Sequence, residues 1–424
     1  MAKGYIHWDK LDNTANLFPV IAGESMTNTY RISCTLTEEV NPELLQEAVD
    51  IVTPRIKGFN LRLRTGVFWY YFEENGKSAP RVKEEDNFPC RLIHPGKNNS
   101  YLFRVTYFKN RINLEVFHVL TDGMGGITFL KELVYQYLRL AHPKLREIYG
   151  DRLSKDTSLN REDSFIKNYK KRSAPIYKFK RAFLIKGERL PYNGFGVIHG
   201  NMSVSSLKEV SKRRGLSINE YLVATFIWAT YQEHYRFITK KRPIRVAVPV
   251  DLRSYFSSNT TKNFFVMVSA EFVPQKEEYT FDDICEITHE SLRNQISKEH
   301  LEKIFSYNVS NEQFFAARAV PLFIKNLLIK LIYTRTALAN TTTITNIGNI
   351  KVDEVYEPYI ERFQSFLAFS KGQLLKATVT SYKDTLSYTY TSAWKDVSIQ
   401  RRVFRQIAED GVDVLIETNG VYYE

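Results

Sequence analysis

Apolar and polar positions alternate with period two in several short runs near the start of the chain, and each run reads as a strand with at least one covered face. They occupy residues 30–36, 61–63, 67–72, 101–108 and 111–118. Thr65 and Gly66 separate the second run from the third, so these two form a hairpin around a short turn. Helical periods intervene. Asn41 caps a helix that Pro42 opens, because proline fits the first helical turn, where its missing N–H has no partner to lose. Ile127, Leu130, Val134, Tyr137 and Leu138 share one face of a second helix over 127–141.

After residue 190 the pattern starts again. A strand at 196–204 precedes a helix at 206–214, which Gly215 stops. Ser217 and Glu220 form a capping box, each able to satisfy a free backbone N–H, and the helix they open runs to about Tyr235. Strands at 244–250, 264–272 and 341–345 alternate with helices at 281–296 and 321–334. Runs at 362–369, 374–382 and 386–392 read as a meander, and a helix at 397–409 closes the chain. No internal repeat stands out. The prediction is an α+β fold with two domains, 1–150 and 191–424, each a mixed sheet with helices, joined by a segment at 151–190. The 424 residues agree, since single cores stop growing near ~250–300.

Composition narrows the class. With 43% hydrophobic and 25% charged residues the chain is neither disordered nor low in complexity. Its net charge of +12 calls for a polyanionic partner. Within 151–190, 12 Lys and Arg face 5 Asp and Glu, and Tyr169, Tyr177, Phe179 and Phe183 are interleaved among them. A flexible linker is poor in aromatics, so this segment is expected to be a crossover packed over both domains. Cys34, Cys90 and Cys285 offer neither a disulfide framework nor a zinc site, which fits a reducing, cytoplasmic setting. The first residues lack the apolar core of a secretory signal.

The most apolar stretch, 319–339, carries Pro321, Lys325, Asn326, Lys330 and Arg335, so no transmembrane segment is expected. It is expected to be a core helix with one buried face; peripheral membrane contact is the alternative.

Eight histidines include no H-E-x-x-H pair, so no metal is expected. His118 stands apart. It follows Ile112, Leu114 and Val116 on one strand face and precedes Asp122, Gly123, Gly125 and Gly126. A neutral imidazole at the end of an apolar stripe can serve as a base if its other nitrogen is held and water is excluded. The alternative reading is a core histidine beside a helix-capping aspartate.

The spacing H-x-x-x-D-G between a strand and a helix resembles the active-site motif of the chloramphenicol acetyltransferase-like superfamily. That group includes plant BAHD acyltransferases, alcohol O-acetyltransferases and the condensation domains of nonribosomal peptide synthetases. Three further features carry the resemblance along the chain. Pro249 to Arg253 matches a P-x-x-x-R signature, Asn263-Phe264 a G-N-F-like one, and Thr345-Asn346-Ile347-Gly348 an S-N-x-G segment. The resemblance implies an active-site tunnel between the domains. It implies that His118 is the general base, that Asp122 pairs with Arg253 to hold the motif loop, and that Thr345 or Asn346 donates to an oxyanion. Gly123, Gly125 and Gly126 would give a tight turn. The position before His118 is Phe117, where condensation domains carry another histidine, and the D-F-G-W-G segment of plant enzymes is missing. The likeness is therefore nearest to stand-alone bacterial alcohol acetyltransferase-like proteins.

The function this implies is acyl transfer from a coenzyme A thioester, used as co-substrate without a permanently bound cofactor, to a small alcohol or amine, with no acyl-enzyme. The coenzyme's phosphates would suit the basic excess, with 151–190 a contributor, although no residue is singled out for the coenzyme. An acyl carrier protein as donor is the alternative within the fold. A non-catalytic binding module is the alternative outside it. Nucleic acid is not expected, since no reading motif accompanies the basic residues.

Overall fold

The computed structural model describes residues 8–155, 157–171, 180–236, 242–313 and 319–422. Its helices and strands build three sheets, a small one of Trp8–Lys10, Tyr70–Glu74 and Leu61–Thr65 and two large ones, each of the large ones with its own core.

The first sheet has five strands in the order Ile360–Leu367, Thr29–Leu36, Arg111–Phe117, Phe103–Phe108 and Lys83–Glu84. All eight residues of Thr29–Leu36 are buried, because the strand lies second from the edge with both faces covered. The helices Pro42–Val52 and Gly123–Ala141 pack together beside this sheet, and Asn41 accepts the N–H groups of Glu43 and Leu44 as the predicted cap. The predicted hairpin forms between Leu61–Thr65 and Tyr70–Glu74. Its turn is longer than expected, and Val67, Phe68 and Trp69 protrude from it into solvent.

The second sheet has seven strands: Phe265–Phe272, Ile244–Asp251, Thr342–Asn349, Leu375–Tyr382, Thr385–Ser392, Gly196–Ser203 and Leu415–Thr418. It is mixed, with Thr342–Asn349 parallel to both its neighbours. Helix Ile218–Thr230 is buried almost all round, as a helix apolar on every face must be, and both halves of its capping box form. A second box, Thr280 with Asp283, starts Phe281–Arg293. Helix Lys298–Gln313 was not predicted from the sequence, although Leu301, Phe305 and Val309 recur at helical spacing and are buried.

The predicted meander does not form. Ile360–Leu367 leaves the second half of the chain and pairs antiparallel with Thr29–Leu36, so residues 191–424 donate an edge strand to the first sheet. Strands Leu375–Tyr382 and Thr385–Ser392 do pair with each other in the second sheet. The donated strand also seams the two sheets: Ser365 and Thr380 share a hydroxyl hydrogen bond of 2.5 Å, and Thr378 donates to the Ser365 carbonyl at 2.6 Å. Alternation along 362–369 signals a strand but says nothing about which strand it joins.

Where it is described, the 151–190 segment touches both large sheets' cores; Tyr177 and Phe179 lie outside the described residues. Phe165 inserts edge-on against Phe264 in the second core, and Arg161 donates to Asp9 beside the first. Asn160 and Glu162 lend backbone carbonyls to Thr261 and Thr260. Part of its positive charge is met locally, since Arg161, Lys167 and Lys170 pair with Asp9, Glu162 and Glu302.

Helix Leu322–Thr336 overturns the core-helix expectation. Only Leu322 is buried, while Phe323, Leu327, Leu328, Leu331 and Ile332 stand in solvent. Lys325 and Asn326 turn inward instead, where acceptors on the neighbouring hairpin satisfy them.

Candidate active site

His118 ends strand Arg111–Phe117, and its backbone N–H is held by the Asn28 carbonyl at 2.9 Å. The half-buried ring stacks on Phe18 at 4.5 Å, with Tyr30 edge-on at 5.1 Å and Phe265 at 5.6 Å. Phe265 opens a strand of the second sheet, so the imidazole sits where the domains meet. Burial pulls it below its usual 6.5, against the opposing influence of Asp122 and of the hydrogen bond to Asn263; half-buried Lys376, itself pulled down to about 8, lowers it further. Neutral imidazole is the favoured form there.

Its tautomer follows from its partners. Asn263 donates from Nδ2 to Asp12 Oδ2 at 2.9 Å, which fixes the amide and turns Oδ1 toward His118 Nδ1 at 3.0 Å. An amide oxygen only accepts, so Nδ1 carries the proton and Nε2 is left as the basic nitrogen. Asp12 also accepts the backbone N–H groups of Asn263 and Ala15, yet burial pushes its carboxyl up to about 7. The chain Asp12–Asn263–His118 was not read from the sequence. Asn263 was noted only as part of a signature, and Asp12 carries no local mark.

The expected Asp122–Arg253 pair is present, at 2.9 Å and almost wholly buried. Asp122 also caps helix Gly123–Ala141 through Gly125 and accepts the Phe264 N–H at 2.9 Å. It is therefore both the capping residue of the alternative reading and the pairing residue that the resemblance implied. Arg253 donates in addition to the carbonyls of Thr260 and Lys262 and to Asp251, so its fork ties the 260–264 loop to the start of the helix. Burial would lower its pKa, but Asp122 and Asp251 raise it overall, which keeps the guanidinium charged.

The three glycines do not make the expected turn. They form the first helical turn, and none has a positive φ. Close packing is the reason for two of them. A Cβ on Gly125 would meet Thr121 Oγ1 at 1.9 Å and the Thr261 carbonyl at 2.8 Å, and one on Gly126 would meet the Tyr30 hydroxyl at 2.7 Å. Gly123 has room, its nearest neighbour being Ile347 at 3.8 Å.

A cavity of about 150 Å³ is lined by His118, Asp122, Gly123, Arg253, Thr345 and Asn346, so all six residues singled out from the sequence meet there. Met124, Phe265, Ile347 and Phe366 supply apolar walls. Strand Thr342–Asn349 carries a bulge between Asn346 and Gly348, with Gly348 at φ +86° and its N–H donated to Asn346 Oδ1 at 2.8 Å. The Asn346 side-chain oxygen is thus engaged in holding the bulge, while its Nδ2 and the Thr345 hydroxyl make no hydrogen bond among the described residues. Such a cavity combines a held base, a hydroxyl donor and apolar walls.

No protein-family model and no curated protein sequence matches the chain. Solved structures do match, over almost its full length. One is polyketide synthase associated protein 5 from Mycobacterium tuberculosis, at 13% identity and a TM-score of 0.57, covering 94% of this chain and 96% of that one. Another is F. sporotrichioides TRI101, solved with coenzyme A and T-2, at 10% identity and a TM-score of 0.62, covering 98% of this chain and 100% of the other. The first condensation domain of the calcium-dependent antibiotic synthetase aligns at 11% identity and a TM-score of 0.57, covering 97% and 99%.

Proposed function

On the chloramphenicol acetyltransferase-like two-domain fold that this chain has, we propose acyl transfer from a coenzyme A thioester to an alcohol or amine. The observation that carries the reading is the imidazole held through Nδ1 by Asn263, with Nε2 left as a base in a cavity shared with Thr345. His118 takes the acceptor's proton as its oxygen or nitrogen attacks the thioester carbonyl. The Thr345 hydroxyl donates to the oxyanion that forms, a type of contact that contributes ~10²–10³ in rate. As the intermediate collapses, the carbon–sulfur bond breaks and the thiolate leaves. It takes the proton back from His118, giving the acylated acceptor and the free thiol without an acyl-enzyme. Asp122 and Arg253 position the loop that carries Asn263.

A screen for thiol release from acyl-coenzyme A donors, against pools of alcohols and amines, tests this reading. Acceptor-dependent release that His118→Ala abolishes is the expected result. Turnover retained in that variant overturns the general-base role. Turnover only with acyl groups on a carrier protein would move the donor to that partner, and inertness toward every thioester would favour a binding module.

A further inference from the structure

Helix Leu322–Thr336 exposes most of its large apolar side chains, the reverse of a helix packed on a folded domain. Lys325, Asn326 and Tyr333 face the protein: Lys325 donates to the Phe68 carbonyl at 2.9 Å, Asn326 to the Tyr70 hydroxyl at 2.8 Å, and Tyr333 contacts Met26 Sδ at 3.0 Å. Phe323, Ile324, Leu327, Leu328, Leu331 and Ile332 face solvent, at 39–74% exposure. The apolar surface does not stop at the helix. The Leu322 N–H donates to the Val67 carbonyl at 2.8 Å, which fixes the hairpin tip beside it, and Val67, Phe68 and Trp69 are 72%, 38% and 56% exposed.

Contiguous apolar surface on this scale marks an interaction site. We propose that helix Leu322–Thr336 and the 67–69 hairpin tip together dock the protein on a bilayer containing anionic lipids. Charge favours a bilayer over a second copy of this chain. Lys330 and Arg335 are exposed on this helix and make no ion pair among the described residues, and no Asp or Glu occurs between residues 313 and 352. Two such patches face to face would oppose like charges, whereas an anionic headgroup layer neutralises them while Lys330 extends from the flank of the apolar face. Tryptophan and phenylalanine at a protruding tip suit the boundary between headgroups and acyl chains. The helix packs on the short helix Phe18–Ile21, whose Phe18 lies against His118. Docking therefore brings the cavity region close to the membrane. The inference does not rest on the acyltransferase reading, because binding is measured without turnover.

Vesicles of phosphatidylcholine, with or without phosphatidylglycerol, are sedimented with the full chain. Binding is expected to be stronger to the anionic vesicles, with a blue shift of tryptophan emission that Trp69→Phe removes. The double variant Leu327→Glu/Leu331→Glu should partition at least about tenfold less, since burying one leucine is worth ~1.5–3 kcal/mol. Both side chains are solvent-exposed, so an unchanged circular dichroism spectrum is expected and identifies a folded variant. Lys330→Glu should erase the preference for anionic lipid. Absence of vesicle binding, or binding that the double variant leaves intact, overturns the proposal. So does a dimer or a captured acidic carrier protein that depends on the same leucines without any affinity for vesicles.

Discussion

Asn263 Oδ1 lies 3.0 Å from His118 Nδ1, and the same amide donates to Asp12 at 2.9 Å. An uncharged side chain thus sets which imidazole nitrogen is basic. Asn263→Ala should lower kcat with little change in KM for the donor, because the base loses orientation while the cavity stays. His118→Ala should cost more, on the order of 10²–10⁴. Equal losses in the two variants would mean that Asn263 does more than orient the ring.

Asp12→Asn offers a sharper test of that chain. The new amide can present donors to the Asn263 donors, and relief by rotation of Asn263 would aim an N–H at His118 Nδ1 and force the wrong tautomer. The expected outcome is a folded protein with kcat reduced at every pH. Wild-type activity in this variant would sever Asp12 from the site.

Acid should abolish the proposed acyl transfer only below the usual histidine range. Burial lowers the His118 pKa, so the neutral base persists as pH falls through 6.5, and the acid limb of kcat/KM should lie below that value. A limb above 6.5 would contradict the assignment.

Asp12 also gives stability a pH dependence of opposite sense. Its folded pKa, about 7, is raised from 3.8, so the protonated form is the one the fold favours. Its contribution is fully present below about 3.8 and lost as pH rises toward 7. Denaturant midpoints measured across that window for the wild type and Asp12→Asn should show a slope in the first that is absent in the second.

Removing one partner of the buried Arg253–Asp122 pair strands the other charge, so Arg253→Met should cost ~3–5 kcal/mol in urea unfolding. Gly125→Ala should also destabilise, by ~1–3 kcal/mol, because its Cβ overlaps Thr121 and crowds the Thr261 carbonyl. Gly123→Ala has space and should be nearly neutral.

The site was partly legible in advance. His118, Asp122 and Arg253 belong to short motifs at strand and helix ends, and such motifs survive in one dimension. Asp12 does not, because its partner lies 251 residues away and nothing near it hints at chemistry. The glycines were legible as special but for the wrong reason. Their close neighbours, Thr261 and Tyr30, are brought in by other elements.

Periodicity of side chains, caps and breakers is a local property, and it determined by itself most of the longer strands, the longer helices other than Lys298–Gln313, the two-part α+β plan and the residues of the motif. Partner choice is not local. Only the tertiary structure decided that Ile360–Leu367 joins the first sheet, that Asn263 holds the imidazole, and that helix Leu322–Thr336 turns its leucines outward. An apolar stripe states that a face seeks cover; which surface supplies that cover is settled by contacts between residues far apart in the chain.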